Sequence, residues 1–115
     1  MGIFSKKTVN LLLEDKALLS ECQSSLAAIN AKVELENTNL YKKILKIIDS
    51  IEYSGPSKDP EIYEADKKIL DAVGELKIAA RRKIERSNLE LCEKFVNNIK
   101  ELLNARNEKI KRFRQ

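Results

Sequence analysis

One short segment constrains this chain more than any other feature. Ser54-Gly55-Pro56-Ser57-Lys58-Asp59-Pro60 contains both prolines and one of the three glycines in 115 residues. Gly55-Pro56 ends a helix, because proline restrains the residue before it and has no backbone N–H to donate. Asp59-Pro60-Glu61 begins another, with Asp as N-cap, Pro at the first helical position and an acid near the positive end of the helix dipole. Elsewhere the chain lacks punctuation of this strength. The spacing therefore predicts an all-α protein, a single helical domain over 1–115, with helix 1 at about 6–53, a loop at 54–59 and helix 2 at about 60–112. Composition agrees: charged residues make up 35% and aromatics 5%, as in long-helix and coiled-coil proteins.

Apolar periodicity suggests how the two helices meet. Reading back from the loop, Ile51, Ile47, Ile44, Leu40, Asn37, Val33 and Ile29 recur at steps of three and four. Reading forward, Ile62, Ala65, Ile69, Val73, Leu76, Ala80 and Ile84 do the same. Two antiparallel helices turning about the loop would pair Ile51 with Ile62, Ile44 with Ile69, Leu40 with Val73 and Ile29 with Ile84. Two layers resist this register. Ile47 falls opposite Asp66, which should then turn toward water, and Asn37 falls opposite Leu76.

A two-helix hairpin of this length would extend about 70 Å and could not enclose a core by itself. Dimerisation into a four-helix bundle is the expected remedy, since symmetric homodimers are the commonest oligomers. The alternative is a compact three- or four-helix bundle with breaks near Asn37–Asn39 and Ser87–Asn88. Asn and Thr compete for backbone hydrogen bonds at the first, and Ser87-Asn88-Leu89-Glu90 has the capping-box pattern at the second.

The residue inventory argues against catalysis. No histidine is present, which removes the commonest general base and metal ligand. Two cysteines cannot complete an ordinary zinc site, and Gly2, Gly55 and Gly74 are too isolated for a phosphate-binding loop. No catalytic residue, metal site or cofactor is expected. Cys22 and Cys92 fall at nearly the same height in the hairpin register, so a disulfide is geometrically conceivable, but small buried hydrophobes are the expected role. Arg81-Arg82-Lys83 with Arg86 has Glu85 inside it and no interleaved aromatic residue, so it is read as a solvated helix face and not as a nucleic-acid site.

Two surfaces remain. Leu40, Tyr41, Leu45 and Ile48, joined by Tyr63 and Leu70, make the apolar surface near the loop wider than one seam requires. The leading expectation is a non-enzymatic helical interaction or structural module that self-associates or docks another helical protein through these six residues. At the opposite end, antiparallel folding would gather Ile3, Phe4, Lys6 and Lys7 with Arg112, Phe113 and Arg114. A basic tip with apolar residues suits an anionic membrane surface, which gives the second expectation, a peripheral membrane protein. No secretory-length apolar run is present, since Leu11-Leu12-Leu13 is followed at once by Glu14 and Asp15. A cytoplasmic location is expected, membrane-peripheral under the second reading. No motif assigns the chain to a family.

Overall fold

The computed structural model describes the backbone of residues 2–33, 38–81, 84 and 88–114, and the side chains of 10–33, 39–81, 84 and 88–112. Within these residues the chain forms α1 (Gly2–Asn30), α2 (Thr38–Ser54), α3 (Pro60–Ala79) and α4 (Leu89–Arg114). The two-helix hairpin is thereby corrected to a four-helix bundle within one chain, close to the alternative with two breaks. The particle measures 56 × 26 × 18 Å.

The central punctuation works as its residues dictate. Gly55 adopts φ 68°, a left-handed conformation in which a side chain is strained, and its N–H closes α2 on Ile51 O at 3.0 Å. Asp59 caps α3 with extended backbone, its Oδ1 accepting from Glu61 N at 2.8 Å, and Pro60 opens the helix. The first break falls earlier than Asn37: α1 stops at Asn30, and a turn follows in which Lys32 N donates to Ile29 O at 2.9 Å. Buried Asn30 then ties the end of α1 to the start of α2, its Nδ2 donating to Tyr41 O at 3.3 Å. Asn37 and Ser87 themselves lie outside the described residues. At the second break α3 ends at Ala79 and α4 begins at Leu89, and Asn88 Nδ2 donates back to Ala79 O at 3.1 Å.

The order of neighbours differs from a simple hairpin. Among the described residues, α1 packs against α2 and α3, and α4 against α3 and α2, so α2 and α3 stand diagonally. The pairs α1/α2 and α3/α4 are antiparallel, whereas α1 runs parallel to α3. Asp15 and Asp66 meet through Arg106 at one end of that parallel pair, and Lys32 Nζ donates to Ala80 O at the other. A single parallel bridge, Val33 with Ile84, joins the two connections.

The molecule is thus two helical hairpins laid side by side in the same sense. Buried Asp15, Leu18, Cys22 and Ile29 of the first hairpin correspond in position to Asp66, Ile69, Val73 and Ala80 of the second. Leu40, Ile44, Ile47 and Ile51 correspond likewise to Cys92, Val96, Ile99 and Leu103. The apolar residues read from periodicity do form the core, but the pairing of Ile44 with Ile69 and its companions gives way to α1/α3 and α2/α4 contacts. With the core closed inside one chain, a second copy is not required to cover the inner face of a hairpin.

Candidate functional site

The six residues expected to bind a partner occupy three environments. Leu40 is 1% exposed and belongs to the core, on the inward face of α2 with Ile44, Ile47 and Ile51. Ile48, Tyr63 and Leu70 are half-buried and pack against the core. Tyr41 and Leu45, four residues apart on α2, are 44% and 39% exposed. Since α2 and α3 are diagonal, Tyr63 and Leu70 do not extend the α2 stripe. At the terminal tip, the side chains of Ile3, Phe4, Lys6, Lys7, Phe113 and Arg114 lie outside the described residues, and Arg112 is exposed. No helix among the described residues is long and apolar enough to cross a membrane.

The most demanding chemistry in the molecule lies inside it. Asp15 from α1, Asp66 from α3 and Arg106 from α4 converge beside the central loop, at 0%, 0% and 1% exposure. Asp66 therefore corrects the expectation that it turns toward water. Arg106 Nε donates to Asp66 Oδ1 at 2.8 Å, and Nη2 makes a longer contact of 3.4 Å to Oδ2. Nη2 also donates to Gly55 O at 2.5 Å and stands 3.9 Å from Asp15 Oδ2. Nη1 donates to Ser54 Oγ at 2.6 Å and Asn107 Oδ1 at 3.1 Å. Asp15 Oδ2 accepts from Ser57 N at 2.9 Å, which fastens the loop to α1. One guanidinium thus links α2, the loop, α3 and α4, and reaches the carboxylate of α1.

Two carboxyl groups share this one cation. Burial pushes the Asp66 carboxyl up to about 8; its hydrogen bond with Asp15 adds to the shift and Arg106 opposes it. Buried Asp15 Oδ1 accepts from no protein donor. With Asp66 protonated near pH 7, the cluster no longer sets two buried negative charges against the one guanidinium. The cluster is closed to solvent and pins the central loop to the helices around it. Sequence reading missed it because Arg106 lies forty positions from Asp66 and sits in a run of ordinary helix-end cations.

Cys22 and Cys92 are both free and fully buried. Burial pushes the Cys22 thiol up to about 12, with Asp66, Glu21 and Asp15 adding to it, and burial raises Cys92 as well. Among the described residues no three His, Cys, Asp or Glu side chains cluster as a metal site would require. Arg81 of the basic run is exposed, while Arg82, Lys83 and Arg86 lie outside the described residues.

No known protein family, characterised protein or solved structure matches this chain.

Proposed function

We propose that this chain is a non-enzymatic helical interaction module that docks a partner, a second copy or another helical protein, through one edge of α2. A single observation supports the reading: Tyr41 and Leu45 remain exposed in i,i+4 register, beside half-buried Ile48, on a bundle whose core is already closed. An aromatic and a leucine at this spacing make the kind of anchor that a partner helix or groove desolvates.

The test combines solution mass with local crosslinking. Wild type should associate, or a photoreactive amino acid at position 45 should capture a discrete protein from a cell extract. The double variant Tyr41→Glu, Leu45→Glu should lose that association while its far-UV circular dichroism stays helical. Association that survives the double variant would refute the reading. So would a monomeric wild type that captures nothing.

A further inference from the structure

The seam between parallel helices α2 and α4 is a groove. Two clefts of about 300 and about 500 Å³ lie along it and share Asn104. The first is rimmed by Lys43 and Lys46 from α2 and Lys100 from α4, with Ser50 and Asn104 between them. Ile47 and Leu103, both core residues, form its apolar floor. No carboxylate lines this cleft. All three lysines are exposed, and none makes an ion pair among the described residues. In the second cleft the cation is already matched, because Lys111 pairs with Glu108 at 3.5 Å.

Three like charges converging on one apolar-floored cleft repel one another, and an anion between them would relieve that repulsion. The shape limits which polyanion fits. Neighbouring helices stand about 8–10 Å apart, so the groove admits a single extended chain and not a nucleic-acid duplex about 20 Å wide. No aromatic ring lines the lysine cleft, which leaves single-stranded bases without a stacking platform there. A bilayer surface is too flat to reach a floor recessed between two helices.

We propose that the α2–α4 groove binds an extended acidic segment of a partner protein. Carboxylates of the segment pair with Lys43, Lys46 and Lys100, one apolar side chain rests over Ile47 and Leu103, and Ser50 and Asn104 hydrogen-bond its backbone. From Lys43 to Ser50 the lysine cleft follows about 10 Å of α2, a length that about three extended residues span. This assignment rests on the reading of the chain as a protein-interaction module, but it uses the edge of α2 that faces α4, not the edge carrying Tyr41 and Leu45.

Fluorescence anisotropy decides it. The probe is a labelled peptide of alternating glutamate and aspartate interrupted by two leucines. The controls are the same peptide with glutamine and asparagine replacing the acids, and a labelled single-stranded oligonucleotide. The acidic probe should bind at about 50 mM salt and weaken at about 300 mM, where exposed charges are screened. The variant Lys43→Gln, Lys46→Gln, Lys100→Gln removes the charges while keeping helix propensity, and should weaken binding about tenfold, as three exposed ion pairs together contribute. Absence of acidic-probe binding at low salt would overturn the proposal. Equal binding by the neutral control or by the triple variant would also overturn it, as would binding confined to the oligonucleotide. The uncharged pair Tyr41→Ser, Leu45→Ser should leave probe affinity unchanged, so failure of the groove and failure of the α2 edge are read separately.

Discussion

Replacing Arg106 with methionine tests the account of the buried cluster most directly. The substitution keeps an unbranched side chain of similar reach but removes the cation, and with it the bonds to Asp66, Ser54, Gly55 and Asn107. Breaking a buried charged cluster by deleting one partner costs about 3–5 kcal/mol. In a domain of this size that corresponds to a fall in Tm of about 12–20 °C. Asp66→Asn is the contrasting variant. The amide oxygen still accepts from Arg106 Nε, and the neutral amide matches the charge of the protonated carboxyl, so its cost at neutral pH should stay within about 1 kcal/mol.

The pH dependence separates the two further. The Asp66 carboxyl, ordinarily at 3.8, stands at about 8 in the fold. Between those values the native state binds more protons than the unfolded chain, so this group's contribution is full at low pH and is lost as pH rises through 8. Urea melts followed by circular dichroism should therefore show wild-type stability falling from about pH 5 to about pH 9, against a flatter Asp66→Asn profile. The deficit of Arg106→Met should shrink toward acid pH, where protonation removes the uncompensated negative charge. A loss below about 1 kcal/mol in Arg106→Met, or a wild-type slope in Asp66→Asn, would refute the reasoning.

Further outcomes follow from single positions. Gly55 and Gly74 would both accept a Cβ without meeting an atom within 4 Å, so their alanine variants isolate backbone conformation. Gly55→Ala should destabilise by about 1 kcal/mol because of the left-handed φ, whereas Gly74→Ala, inside α3, should stabilise by about 0.5–1 kcal/mol in chemical denaturation. Cys22 and Cys92 should react with a thiol reagent only on the timescale of global unfolding, so that labelling measured by mass spectrometry accelerates in step with urea. Rapid labelling of the native protein would show that the α1–α4 interior opens locally.

Periodicity reported the inward face of each helix well, because that face is set locally by which residues recur every three or four positions. Leu40, Ile44, Ile47 and Ile51 were readable in this way, as were Ile62, Ile69, Val73 and Leu76, and all are buried. Asp59 and Gly55 were legible as cap and terminator for the same local reason. Neighbour identity was not legible. An inward stripe on α2 looks the same whether α3 or α1 and α4 cover it, and the hairpin register assumed that helices joined by a short loop lie side by side. Asp66 marked the fault. A carboxylate on an otherwise apolar stripe reads locally as a side chain turned to water, whereas Asp66 answers a charged partner arriving from a distant helix. The candidate partner surface suffered similarly: Tyr41 and Leu45 stay exposed, but Leu40 is absorbed by the core and Tyr63 and Leu70 sit across the bundle.

The cluster also bears on why this arrangement of four helices wins over its competitors. Each hairpin has an apolar stripe that would pack against almost any other, so greasy contact alone discriminates poorly between α2 lying beside α3 and lying diagonal to it. Asp15 and Asp66 occupy corresponding positions of the two hairpins and share one cation, which requires α1 and α3 to be adjacent with α4 reaching across. Placing α2 beside α3 instead would set α1 and α3 diagonally and leave at least one acid buried without its partner. The triple variant Asp15→Leu, Asp66→Leu, Arg106→Met removes that discrimination while filling the space. Its stability should match wild type or exceed it by about 1–4 kcal/mol, as apolar replacements of whole buried ion clusters do. Its topology should lose uniqueness: spin labels at exposed Ala17 of α1 and Lys68 of α3 should give one distance in wild type and a divided distribution in the variant. A single wild-type distance in a stable triple variant would mean that packing and loop length choose the neighbours, and that the charged cluster merely fits the space they leave.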